Sequence, residues 1–344
     1  MCARLLQFRR VIGAVVLCVA FVSGASADFM EFVTIGNPGN AGNMAYPTTS
    51  GFGAVGSEYL IGKYPVTAGQ YAEFLNAVAR TDYYGLWNSN MTGTYGAKIE
   101  RSGAEGTYSY SVAPDWANRP VNFVSWGDAA RFANWLHNDR PTTGVQDSST
   151  TESGAYSLNG AVSNAQLMAV TRSEDAAFFI PTVHEWYKAA FYDPALNGGL
   201  GGYWEYTTAS DTEPSNQLLV PDPGNNANFY GSGFTIGSPY YRTEVDAFAN
   251  SGTAYGTYDQ GGNVYEWNES VFSSGSQRGT MGGAWEFASS RLQANQLNFN
   301  DPTHEHRSYG FRIAGVAEPF VIPEPGSATL LLLAAIAGLL WRRR

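Results

Sequence analysis

Three stretches of the chain set apolar side chains on one face at helical spacing, and each opens on a residue suited to capping. After Thr67, the residues Tyr71, Phe74, Leu75 and Val78 recur at i, i+3, i+4 and i+7, which predicts an amphipathic helix. Ser125 followed by Asp128 reads as a capping box, and Ala129, Phe132, Ala133 and Leu136 then share a face. Thr182 with Glu185 makes a third such start, ahead of Trp186, Ala189 and Ala190. Short runs rich in β-branched and aromatic residues predict strands at 32–35, 59–63, 178–180 and 311–314. Between these elements lie long polar stretches at 88–114, 141–175 and 210–255. Loops of that length in a compact domain are functional, or are ordered by ions and by their own packing.

The two ends have a different pattern. Arg4, Arg9 and Arg10 precede an apolar or small run over 11–22 and the small-residue site Ala25-Ser26-Ala27, which predicts a signal peptide over 1–27 and a mature start at Asp28. Near the other end, Pro323-Glu324-Pro325 is followed by an apolar stretch over 330–341 and then by Arg342, Arg343 and Arg344. That order predicts a short membrane helix held on its cytoplasmic side by the arginines. A domain over 28–317 and a sorting segment over 318–344 complete the expected organisation.

Charge and composition narrow the function. The 344 residues include 20 basic and 30 acidic ones, and six of the arginines stand at positions 4, 9, 10, 342, 343 and 344. Without those six, 14 basic residues face 30 acidic ones, a net charge near −16. Such a domain repels nucleic acid and anionic lipid surfaces, because phosphate binding needs clustered Lys and Arg, whereas cations remain compatible with it. Aromatics make up 14% of the chain, which argues against disorder. Both cysteines, Cys2 and Cys18, fall in the leader, so the mature protein carries no thiol. Of the four histidines, His304 and His306 share a loop, but i, i+2 spacing without a third ligand is not a zinc signature. No nucleophile elbow or dinucleotide fingerprint is present.

Several segments carry a resemblance. They are 58–67, 119–126 and 180–186 leading into the three helices, then Gly261-Gly262-Asn263-Val264-Tyr265-Glu266-Trp267, Arg278-Gly279-Thr280-Met281-Gly282-Gly283-Ala284-Trp285, Arg291 and Gly310-Phe311-Arg312-Ile313-Ala314. In this order they resemble the sulfatase-modifying-factor family, whose founding member is the formylglycine-generating enzyme, over residues 29–317. The resemblance implies a single irregular, loop-rich α/β domain related to the C-type-lectin fold. The tail resembles the PEP-CTERM sorting signal, which implies handling by exosortase-type machinery, a membrane-anchored precursor and a cell-surface or extracellular destination.

The departures from the family pattern bear on chemistry. The oxidase members hold copper with two cysteines shortly after a Gly-Gly-Ser motif. Here Ala284 replaces that serine, while Phe287 and Leu292 fall about where the cysteines would be. Neither side chain can ligate Cu(I), so no copper and no formylglycine formation are expected, and no catalytic residue is assigned. The resemblance further implies structural calcium held by the side chains of Asp259 and Glu266 with the backbone carbonyls of Gly262 and Val264. A second calcium site would begin at Asn228 and Phe229. Hard oxygen ligands of this kind suit calcium. Arg291 and Arg312 read as structural, packed over Trp or paired with carboxylates such as Glu266. Trp126, Trp186, Trp267 and Trp285 read as core, and Tyr83, Tyr84 and Trp87 as candidates for an exposed surface. The functional expectation is a binding or scaffold module of the extracellular matrix, with exopolysaccharide or another surface protein as partner. The alternatives are an enzyme of unknown reaction using the family cleft without thiols, and a structural matrix protein without a specific ligand.

Overall fold

The computed structural model describes residues 29–272 and 275–317, so the leader with its two cysteines and the sorting tail with its expected helix lie outside the described residues. All three expected helices form where the capping residues place them. Helix α1 (Ala68–Val78) starts at Thr67, whose hydroxyl accepts the Gln70 N–H while Gln70 returns the bond to the Thr67 N–H. Helix α2 (Trp126–His137) and helix α3 (Val183–Phe191) are closed by the same reciprocal box, Ser125 with Asp128 and Thr182 with Glu185. Each box satisfies two backbone donors that the first helical turn leaves free. Facing apolar stripes of α1 and α2 meet in one aromatic cluster: the Phe74 and Phe132 rings lie 5.2 Å apart edge to face, and Phe132 meets Phe311 at 5.2 Å.

Two four-stranded sheets flank this cluster. In the first, β1 (Phe32–Ile35), β2 (Tyr59–Gly62), β8 (Ala314–Val316) and β3 (Phe178–Phe179) pair in that order, all antiparallel. The second runs β6 (Asn298–Asn300), β5 (Gln277–Met281), β4 (Tyr265–Phe272), β7 (Tyr309–Phe311), with β7 parallel to β4 and the others antiparallel. The single strand expected over 311–314 is in fact two strands in different sheets. Phe311 closes β7 and Ala314 opens β8, and between them the backbone turns at Arg312, whose guanidinium is fully buried between the sheets.

The long loops are ordered in different ways. A hairpin of Ile99–Ser102 with Ser109–Val112 lies within 88–114, and a short capped helix, Asn164–Met168, within 141–175. Over 210–255 no helix or strand forms, and side chains supply the order. The Asp222 carboxylate accepts from the backbone N–H of Gly224 and Asn250, from the Asn226 amide and from the Ser251 hydroxyl. Those four bonds pin the base of the loop, and because they favour the charged form they hold Asp222 below its usual range despite the burial that opposes them. Trp126, Trp186, Trp267 and Trp285 are all buried in the core, while Tyr83 is exposed. Among the described residues no helix is long and apolar enough to cross a membrane.

Candidate functional site

The glycine motif before β4 is a tight, strained turn. Asp259, Gly262 and Asn263 all take positive φ, at 57°, 86° and 58°. Gly262 is required there, since a Cβ at this position would fall 2.2 Å from the Asn228 carbonyl oxygen. The turn is tied together by amides. Asn263 Nδ2 donates to Asp259 Oδ1 at 3.0 Å, its Oδ1 accepts from Asn228 Nδ2 at 2.8 Å, and its backbone N–H donates to the Asn228 carbonyl at 2.8 Å. Asp259 and Asn228, expected in two separate calcium sites, are therefore linked through Asn263. Phe229, next to Asn228, packs with Tyr206, Ala227 and Leu292. Its carbonyl accepts from Thr235 Oγ1 at 3.2 Å and from Asn216 Nδ2 at 3.3 Å.

The two carboxylates of this motif have different surroundings. Glu266 is fully buried on β4, and its oxygens accept from Arg312 Nε at 3.0 Å, Arg312 Nη2 at 2.8 Å and Trp186 Nε1 at 2.6 Å. Arg312 completes its fork on the Gly62 carbonyl at 2.6 Å and the Tyr258 carbonyl at 2.7 Å. Asp259 is less well provided. Burial pushes its carboxyl up to about 8, against the opposing pull of Arg312 and the Asn263 hydrogen bond. Glu266 thus already has its counter-charge, whereas Asp259 accepts from the Asn263 amide. Among the described residues no cluster of three or more His, Cys, Asp or Glu side chains is arranged to hold a metal ion.

Phe287 and Leu292, expected to fall about where oxidase members carry cysteines, are packed among apolar side chains. Leu292 is buried with Tyr206, Ala227 and Phe229, and the Phe287 ring meets Tyr265 edge-on at 5.4 Å. Immediately beside them a cleft of about 340 Å³ is open, lined by Tyr95, Tyr230, Phe234, Tyr241, Trp285, Glu286 and Arg307. Its floor is the Trp285 indole, against which Tyr95 stacks at 5.6 Å, Tyr241 tilts at 4.8 Å and Phe234 at 5.5 Å. Tyr230 and Phe234 are exposed at its edge, and their rings are 5.0 Å apart. The charged side of the cleft is an ion pair, Arg307 Nε to Glu286 Oε2 at 2.8 Å, and the Ser308 hydroxyl donates to the other oxygen of Glu286. The Arg307 guanidinium sits 4.8 Å from the Tyr95 ring centroid.

Buried Arg242 supports the cleft from beneath, donating to the Pro120, Tyr95 and Gly96 carbonyls. Removal from water lowers its guanidinium to about 9. Trp285 itself is nearly fully buried, yet among the described residues its indole N–H finds no acceptor. A buried donor without a partner is costly, and this one is closed off from solvent. The cleft residues other than Trp285 come from loops at 95, 230–241 and 286–307, so no sequence spacing announces them. The only sequence signal was the aromatic density of the 229–241 segment. Arg291, read as a core arginine, is instead exposed on the short 3-10 turn Ser289–Leu292.

Few helices, two four-stranded sheets, two two-stranded ones and dominant loops among the described residues define a C-type-lectin-like domain of the formylglycine-generating-enzyme type. Residues 49–317 match the sulfatase-modifying factor enzyme 1-like domain, and the chain belongs to that family. Treponema denticola variable protein 1 shares the fold with a TM-score of 0.52 at 20% identity, over 83% of this chain and 94% of that one. CarF matches with a TM-score of 0.45 at 17% identity, over 84% and 99% of the two chains. PvdO from Pseudomonas aeruginosa matches with a TM-score of 0.42 at 18% identity, over 83% and 92%. RNA polymerase II degradation factor 1 of Debaryomyces hansenii is 32% identical over 123 residues, which span 35% of this chain but only 16% of that protein. Residues 321–344 match the PEP-CTERM protein-sorting motif, the signal recognised by exosortase sorting machinery, which is consistent with an exported, surface-sorted protein.

Proposed function

We propose that this protein is a surface-sorted binding module that has lost the copper chemistry of its oxidase relatives and uses the Trp285 cleft to hold a saccharide of the extracellular matrix. The observation that carries the reading is an open cleft walled by Tyr95, Tyr241 and the exposed rings of Tyr230 and Phe234, beside the planar Glu286–Arg307 pair. Aromatic faces suit the apolar faces of a sugar ring, while the guanidinium and the carboxylate offer fixed partners for its oxygens and hydroxyls. A few convergent polar groups within a mostly aromatic wall are the usual composition of a small-molecule site. The closed, apolar packing of Phe287 and Leu292 supports the loss of the thiol–copper step. Calcium at Asp259 with the carbonyls of Gly262 and Val264 belongs to the same proposal as a structural ion that stiffens the turn before β4, with Glu266 held by Arg312.

The test is binding of matrix oligosaccharides by the wild-type chain and by Tyr230→Ala and Phe234→Ala. Both rings are exposed at the edge of the cleft, so removing either one leaves the core intact. The expected result is loss of binding of about tenfold or more for each variant, the size of one good hydrogen bond or stacked ring. Saccharide binding unaffected by either variant would overturn the assignment.

A further inference from the structure

We infer that the cleft selects an acidic saccharide, one whose oxyanion substituent, a uronate carboxylate or a sulfate ester, takes the free end of the Arg307 guanidinium. The inference rests on the cleft reading and adds the chemical class of the ligand.

The ion pair in the cleft is lopsided. Both contacts of Arg307 with Glu286 use one edge of the guanidinium and end on one oxygen, Nε to Oε2 at 2.8 Å and Nη2 to Oε2 at 2.5 Å. The other oxygen of Glu286 is occupied by the Ser308 hydroxyl. The Glu286 side chain is 12% exposed, against 38% for Arg307, so the pair turns its cation toward solvent and keeps its anion mostly covered. A guanidinium carries five N–H donors in a planar fork. With the edge formed by Nε and Nη2 committed, the end formed by Nη1 and Nη2 remains, and among the described residues no hydrogen bond or ion pair involves Nη1. That end presents two parallel N–H groups, the arrangement that a carboxylate or a similar oxyanion accepts in bidentate fashion.

The guanidinium is held in position. The Arg307 carbonyl accepts from Asn122 Nδ2 at 2.6 Å, and Asn122 is fully buried, which fixes the backbone. The guanidinium lies 4.8 Å from the Tyr95 ring centroid and 5.8 Å from that of Trp285, and this aromatic surface limits its swing. The hydrogen bond to Glu286 raises its pKa further, so the charge is present at any physiological pH. The neighbouring imidazole does not supply a second cation. His306 Nδ1 accepts the Ser308 N–H at 3.3 Å and stands 4.0 Å from Glu286 Oε1, and burial lowers its pKa. Arg307 is accordingly the charge that the cleft offers to a ligand lying against the exposed rings of Tyr230 and Phe234. The net charge near −16 opposes polyanions at a distance, but physiological salt screens it beyond about 8 Å, so contact with one acidic group sets the preference.

The experiment measures binding of the full chain to three oligosaccharides of equal length, a neutral glucan, the corresponding glucuronan and the sulfated glucan, in wild type, Arg307→Gln, Glu286→Gln and Tyr230→Ala. The wild type is expected to bind one of the acidic chains about tenfold tighter than the neutral one, the size of one charge-assisted hydrogen bond, and the tighter of the two identifies the substituent. Arg307→Gln should reduce that preference to less than about twofold, and Glu286→Gln should strengthen acidic binding severalfold, because it removes the competing negative charge. Tyr230→Ala should weaken all three chains and keep their ratio. Equal binding of acidic and neutral chains, or a preference that survives Arg307→Gln, overturns the inference, and the cleft reading then stands if Tyr230→Ala still weakens binding. Failure of every chain to bind overturns both. Should Arg307→Gln not fold, Glu286→Gln decides alone: acidic binding that is unchanged or weaker contradicts the inference.

Discussion

Removing the arginine between the two sheets is the most demanding perturbation of this fold. Arg312 has no exposure, and four of its hydrogen bonds end on three separate elements: two on Glu266 of β4, one on the Gly62 carbonyl at the end of β2 and one on the Tyr258 carbonyl. Arg312→Met fills similar space but leaves the Glu266 carboxylate buried without its counter-charge, with the Trp186 indole N–H still donating to it. Breaking one side of a buried pair in this way costs about 3–5 kcal/mol. For a domain of this size, a loss of that order lowers the melting temperature by about 10 °C. Urea unfolding followed by tryptophan fluorescence measures it, with Lys63→Met as the control. Lys63 pairs at 2.9 Å with Glu31, which is 61% exposed, and surface pairs of that kind contribute less than about 1 kcal/mol. Replacing both partners, as Glu266→Leu with Arg312→Met, should restore part of the loss, because no charge is then left buried alone. If Arg312→Met and Lys63→Met cost the same, the pair does not join the sheets and the reasoning fails.

Three further outcomes are expected. Chelation of calcium should lower the melting temperature of the wild type by several degrees and leave Asp259→Asn unchanged; equal melts with and without chelator would count against calcium at the turn before β4. Copper-dependent oxygen consumption with a cysteine-containing sulfatase peptide should be absent, since apolar Phe287 and Leu292 stand at the thiol positions. Lys188 is buried with its Nζ on the Asn37 carbonyl at 2.8 Å, and burial lowers its ammonium to about 8. The unfolded chain therefore binds more protons than the native one between about pH 8 and its free value of about 10.4, so stability should rise with pH across that window, and Lys188→Met should remove about 2 kcal/mol of the rise when the two urea curves are compared.

The parts of this structure that depend on local chemistry were legible in the sequence. The three helices were, because reciprocal caps at Thr67, Ser125 and Thr182 and the stripes behind them are short-range features. Strand β4 was not. Its first four residues, Tyr265, Glu266, Trp267 and Asn268, alternate aromatic and polar but are all buried, so the polar positions do not mark a solvent face, and Glu266 is tolerated only because Arg312 arrives from a residue 46 positions later. That arginine was expected to pair with a carboxylate such as Glu266, but its cost in interrupting a strand over 311–314 became visible only when β7 and β8 were seen in different sheets. The glycine motif was recognisable as a turn, yet the link from Asp259 through Asn263 to Asn228 depends on contacts 35 residues apart. The cleft was the least legible part. Trp285 was assigned correctly to the core, but Tyr95, Tyr241 and Arg307 converge on it from loops whose order comes from carbonyl and carboxylate anchors such as Arg242 and Asp222 rather than from any periodic pattern.

The central claim is that the family fold has kept its cleft and exchanged oxidation for binding. A crystal structure of the protein with the best-binding matrix oligosaccharide tests it most directly. The account predicts a sugar ring between Tyr230 and Phe234 with an oxygen on the Arg307 guanidinium, whereas a ligand seated elsewhere on the domain would contradict it.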